Sequence, residues 1–209
     1  QLYITGAIDY GSPEGVVVLD LKPANVTFTE SDNPVALLPG GTVSAPVNDQ
    51  SSYQGASIVI ERTGGTQTGD QFGVSSASGL SFNDGQIWQG DKAIAAVTTA
   101  ANGARTFTVL KGVAQSAAQQ VWRAITYQST SQDPTLAGNT ATFRISFNDG
   151  EGHTAEFTAA VNVVGINDPA VVSTEPVGGS YASGGEPVSL FKNTAIDTIE
   201  VGQNIHRME

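Results

Sequence analysis

The residues best suited to chemistry are acidic and lie in loops: Asn148, Asp149 and Glu151 in NDGEG, Asn167 and Asp168 in INDP, Glu30 and Asp32 in TESD, Asp49 in VND, and Asp70 in TGD. Carboxylate, amide and backbone carbonyl oxygens in such loops suit a hard cation such as calcium, which takes about six to eight of them at roughly 2.3 to 2.6 Å. Neighbouring glycines let the backbone turn its carbonyls inward. The same Asn-Asp-Gly and Asn-Asp-Pro runs are also ordinary turn formers whose side chains cap their own backbone. Turns alone and turns plus calcium both fit the pattern.

Other chemistry finds little support. A hydrolytic carboxylate pair needs two acids held roughly 5 to 10 Å apart in a cleft. Glu61 and Glu156, the acids that could join Asp149, fall in strands that alternate apolar and polar residues, which reads as a solvated face. The histidines are His153, in a turn, and His206, near the end of the chain. Nothing in the sequence around either suggests an imidazole oriented by an acid, and no HExxH, GxSxG or P-loop pattern occurs. The expectation is that the protein is not an enzyme. Places to look for a sugar or peptide ligand are the loop Thr63 to Asp70 and the stretch Asn83 to Lys92 with Trp88, although Trp88 reads first as a plug at a sheet edge.

Composition narrows the classes further. The chain has 209 residues, 39% of them apolar, enough for one sizeable core or one core plus a smaller partner. Acidic side chains outnumber Lys and Arg by 20 to 9, for a net charge of −11. That balance disfavours nucleic acid, which needs a basic face, and suits a divalent cation or a well-solvated surface. There is no cysteine, so neither disulfides nor thiolate sites are available. No apolar run reaches the roughly 18 to 20 residues that span a bilayer, so membrane insertion is not expected.

The elements that must position the acids are strands. Short runs rich in Val, Ile, Thr and Phe are separated by Gly, Asn and Asp clusters, with strands expected at Gly15 to Leu21, Asn25 to Phe28, Val35 to Leu38, Ala56 to Glu61, Gln71 to Val74, Gln86 to Gln89, Lys92 to Thr98, Thr106 to Leu110, Ile125 to Gln128, Thr140 to Asn148 and His153 to Val164, and another at Gln1 to Thr5. In TATFRISF, Ala141, Phe143, Ile145 and Phe147 alternate at period two, so one face is buried and the other wet. The run SAAQQVWRAI, Ser116 to Ile125, has helical spacing at Ala117, Val121, Trp122 and Ile125, with Ser116 and Gln119 fitting a capping box. One short helix packed by Trp122 on a two-sheet β-sandwich is the predicted architecture. A boundary falls near Gly165 to Val172, followed by the turn-rich STEPVGGSYASGG.

The run from Asn25 to Val172 resembles the bacterial cadherin-like repeats of giant surface adhesins. It is similar in VTFTESDNPVALLPG, TGDQFGV, AAQQVWRAITYQSTSQDP, ATFRISFNDGEG and VNVVGINDPAVV, in that order. The flanks resemble a second module type, with the ending-like QLYITGAIDYGSPEGVVVLDL first and the opening-like EPVSLFKNTAIDTIEVGQNI last. The resemblance implies an all-β, cadherin/Ig-like sandwich with one short helix over residues 25–170, flanked by partial β modules at 1–24 and, after a linker, 171–209. It implies a calcium-stabilised extracellular spacer in bacterial cell adhesion and biofilm attachment, at the cell surface or secreted. Glu30, Asp149 or Glu151, and Asn167 with Asp168 match the positions that meet at the junction between modules. Neighbouring repeat modules of the same polypeptide are the implied partners. The alternative is a calcium-dependent sugar- or peptide-binding module of the same adhesin. Unpaired strand edges tend to recruit another chain, so strand exchange through the incomplete termini is a further expectation.

Overall fold

A computed structural model describes residues 18–20, 26–44 and 53–204. The expected strand at Gln1 to Thr5, Asp49 and His206 lie outside the described residues. In chain order the elements are β1 (Val18–Asp20), β2 (Val26–Thr29), β3 (Val35–Ala36), β4 (Thr42–Ser44), β5 (Ser57–Arg62), β6 (Asp70–Val74), β7 (Leu80–Asn83), β8 (Gln86–Gln89), β9 (Lys92–Thr99), β10 (Arg105–Val109), the helix α1 (Gln115–Ala124), β11 (Ile125–Ser129), β12 (Thr140–Asn148), β13 (Thr154–Val164), β14 (Val171–Pro176) and β15 (Phe191–Asp197). The protein is all-β with one short helix.

Eight strands form one sheet in the order β2-β13-β12-β5-β10-β9-β8-β7, and β3-β11-β6 form a second. Alternation decides which residues face inward. Along β12, Ala141, Phe143, Ile145 and Phe147 are all buried while Arg144 is exposed, as the period-two pattern requires. Four aromatic rings lock the two sheets together. Tyr127 of β11 lies 5.7 Å from Phe28 of β2, 5.8 Å from Phe72 of β6 and 5.0 Å from Phe143 of β12. Edge and tilted arrangements at such separations contribute about 0.5 to 1.5 kcal/mol per pair beyond the area they bury.

The helix closes one side of the core. Trp122 is buried and packs edge-on against Phe147 at 6.0 Å, with Val121 and Ala118 beside it. Its start differs from the sequence expectation, since no side chain caps it and Ala114 occupies the N-cap. Gln115 is already helical, so Ser116 sits inside the first turn, where its hydroxyl is not placed to cap.

Two elements bear directly on the site. The antiparallel β12–β13 hairpin pairs Asn148 with Thr154 at its turn and Thr140 with Asn162 at its open end. At that open end β2 pairs in parallel with β13, Thr29 beside Val164. Both strands therefore stop side by side, and the residues after them, Glu30 and 165–168, become neighbours. Beyond them, among the described residues, β14 pairs only with β15. Val171 to Pro176 is thus a strand rather than the linker its composition suggests, and β7 and β4 are strands the composition did not reveal.

The β14–β15 hairpin is exposed on both faces, Val171, Val172 and Phe191 each more than half accessible. An isolated two-stranded hairpin is marginal in water. In calcium-free buffer, hydrogen exchange should find the amides of β14 and β15 on the order of 1,000-fold less protected than those of β12. Equal protection would mean that the hairpin is held by contacts beyond its own ladder.

Candidate metal centre

Glu30 follows β2 directly, and its backbone N–H donates to the Val164 carbonyl at 2.9 Å, extending the parallel ladder by one step. The residue is 3% exposed. Its Oε2 accepts the Ile166 N–H at 2.8 Å, while Oε1 is buried with no partner.

The same half-satisfied arrangement recurs twice. Glu200, in the turn after β15, accepts the Asp168 N–H on Oε1 at 2.5 Å and leaves Oε2 buried and unpartnered. Asp168 leaves its own Oδ2 buried and unpartnered. Asp133 stands with them: its Oδ1 accepts the Thr135 hydroxyl at 3.0 Å and its Oδ2 the Val201 N–H at 3.3 Å. Asn167 accepts from the Gln203 amide at 2.6 Å. Glu30, Asp133, Asn139, Asn167, Glu200 and Gln203 line a cleft of about 420 Å³.

Among the described residues, no Lys or Arg pairs with any of these four carboxylates. Burial pushes the Glu30 carboxyl above its usual range; the Ile166 N–H opposes this, and the like charges of Asp168, Glu200 and Asp133 add to it. A buried carboxylate oxygen without a donor or cation is costly. Three such oxygens, on Glu30, Asp168 and Glu200, lie near one another. Among the described residues no three acidic or imidazole groups are already gathered tightly enough to hold a metal ion. Like charges close on one another only where a cation or a shared proton relieves their repulsion.

The remaining acids from the sequence reading sit elsewhere. Asp149 and Glu151 lie in the β12–β13 turn, at the opposite end of that hairpin from Glu30. Asp149 is buried and saturated. Oδ1 accepts the Glu151 and His153 N–H groups at 2.8 and 3.0 Å, and Oδ2 meets the His153 ring at 2.6 Å. Burial works against its charge, but these hydrogen bonds outweigh that and hold its carboxyl below the usual range. Gly150 adopts φ +88°, and a Cβ there would lie 2.6 Å from the Gln54 carbonyl, so the turn admits no side chain at that position. Asp32 is exposed on the turn after β2. Asp70 is bound by both oxygens to Arg62 Nη1 at 2.8 Å and accepts the Tyr127 hydroxyl at 2.8 Å. With both side chains less than a tenth exposed, Arg62–Asp70 ties β5 of one sheet to β6 of the other.

Of the residues singled out from sequence, Glu30, Asn167 and Asp168 come together. Asp133 and Glu200 were missed. The signal for Asp133 was present in SQDP, an Asp-Pro pair like that of INDP; for Glu200 the sequence offered nothing local. No protein-family model matches this chain, and neither the curated proteins nor the solved structures include a significant match to it.

Because its folded pKa is raised, Glu30 binds its proton more tightly in the folded than in the unfolded state. Its contribution to stability therefore falls as pH rises from the unfolded glutamate value, about 4.3, through the raised folded one. In calcium-free buffer at pH 7, Glu30→Gln should be more stable than wild type by on the order of 1 kcal/mol, the size of one gained hydrogen bond. It should also lose that part of the pH dependence. Urea unfolding between pH 4 and 8 reads both, and a variant less stable than wild type at pH 7 would contradict the assignment.

Proposed function

We propose that this chain is a calcium-stabilised spacer of a bacterial surface adhesin, built on a cadherin-like β-sandwich and working outside the cell by mechanical rather than catalytic means. The observation that carries the reading is the set of three orphaned carboxylate oxygens, on Glu30, Asp168 and Glu200, where the sandwich meets the β14–β15 hairpin.

Each carboxylate comes from a different part of the junction: Glu30 from the end of β2, Asp168 from the segment leaving β13, Glu200 from the turn beyond β15. Asp133 and Asn167 lie beside them with further oxygens. Calcium bound there supplies the positive charge that the cleft lacks. Glu30, Asp168 and Glu200 would be its carboxylate ligands, and drawing them together would fix the hairpin against the end of the sandwich. The backbone N–H groups of Ile166, Asp168 and Val201 already orient one oxygen of Glu30, Glu200 and Asp133, so part of the ordering cost is met before any ion arrives.

A chain of such modules would transmit tension through its junctions, with neighbouring repeats of the same polypeptide as partners. The adhesin assignment draws on the sequence resemblance, and the large acidic excess agrees with an extracellular cation binder. The exposed β14–β15 hairpin fits a strand pair that completes its sheet with other strands, from a neighbouring module or a second chain.

With the weak affinities of extracellular calcium modules, roughly 0.1 to 1 mM, 10 mM calcium would add about 1.4 to 2.7 kcal/mol per site. For a chain of this size that corresponds to a rise in Tm of roughly 3 to 10 °C over EGTA. Magnesium should not reproduce it, and Glu200→Gln should abolish most of it. A melting temperature indifferent to calcium would reduce the acidic cluster to a strained turn region.

A further inference from the structure

A groove of about 600 Å³ runs along β6 and shares no lining residue with the acidic cleft. β6 is the end strand of the smaller sheet. The Ser75 N–H donates to the Ala124 carbonyl, and the Gly69 carbonyl accepts from the Thr130 N–H. Odd-numbered residues of this stretch therefore direct their backbone groups toward β11. By the strand's period of two, Phe72 and Val74 direct theirs away from it, into the groove. The Phe72 carbonyl has the orientation this requires, since it accepts from Arg105 Nη2 across the groove at 3.3 Å.

Arg105 is the second half of the argument. Its Nη1 donates to the Thr99 hydroxyl, its guanidinium lies 6.0 Å from the Phe82 ring centre, and its Nε is buried with no partner. Among the described residues no carboxylate pairs with it, whereas Arg62 in the same groove is neutralised by Asp70. A guanidinium met only by a hydroxyl, one carbonyl and a ring, on a chain of net charge −11, is a poorly compensated cation that a carboxylate would suit. Phe82, 43% exposed, and Val74 offer apolar surface to either side.

We propose that this groove binds an extended acidic peptide segment of a partner protein. The segment adds as a strand to the outward edge of β6, and an Asp or Glu side chain reaches Arg105. Main-chain pairing with Phe72 and Val74 would give affinity, and the Arg105 contact would select acidic sequences. A sugar acid could satisfy the guanidinium but would make no use of the strand edge, so the paired features favour a peptide.

The test is a titration of the full ¹⁵N-labelled chain with the blocked hexapeptide Ac-Thr-Val-Glu-Val-Thr-Ser-NH2, its Glu→Gln counterpart, and glucuronic acid. The Glu peptide should move the Phe72 and Val74 amides and the Arg105 Nε resonance together, and the Gln peptide should bind about ten-fold more weakly. Arg105→Gln should erase that difference. Val74→Pro removes an outward N–H while leaving the ladder to β11 intact, and should weaken both peptides alike. Should either variant fail to fold, the two peptides on the wild-type chain still decide. Equal binding of the two peptides, shifts confined to Arg105 and matched by glucuronic acid, or no shift at all would each overturn the proposal.

Discussion

Partly buried negative charge without an opposing Lys or Arg is the constraint at the end of β2 and β13. Glu30, Asp133, Asp168 and Glu200 collect where two strands end and a hairpin begins, and backbone N–H groups satisfy only part of their acceptor capacity. Elsewhere the molecule handles buried charge differently. Asp70 is matched by Arg62 and a tyrosine hydroxyl, and Asp149 by its own turn and a histidine. Against those two saturated sites, the unpaired oxygens on Glu30, Asp168 and Glu200 form a separate chemical class.

The scaffold explains why the charges meet there. The parallel pairing of β2 with β13 brings Glu30 to Ile166 across 136 positions of sequence. The aromatic contacts of Tyr127 with Phe28, Phe72 and Phe143 hold the two sheets in register, and the Arg62–Asp70 pair joins them again at the edge. The two sheets are thus tied together close to the end of β2. The β14–β15 hairpin, exposed on both faces, has no such core and is tied to the sandwich end partly through carboxylates.

Much of this is legible in the sequence because strand patterning is local. The alternation in TATFRISF predicts the buried face of β12 residue by residue, and the spacing of Val121 and Trp122 predicts the helix and its packing side. Loop acids are harder, since Asp149 in NDGEG and Asp168 in INDP look alike as sequence. The hairpin places one at a turn, where it caps its own backbone, and the other at an open end beside Glu30. Glu200 was not legible at all, because its place beside Asp168 depends on how the chain returns through β15. Arg105 and the outward edge of β6 were likewise hidden, since which strand ends a sheet is a property of topology and not of any single run.

The most direct measurement is a calcium titration followed through the backbone amides of Ile166, Asp168 and Val201, whose N–H groups hold the carboxylates of the cleft. The account predicts saturable shifts at these three, with the amides of Glu151 and His153 in the Asp149 turn unmoved. Shifts confined to that turn, or none up to roughly ten times the largest dissociation constant expected of such sites, about 10 mM, would contradict it.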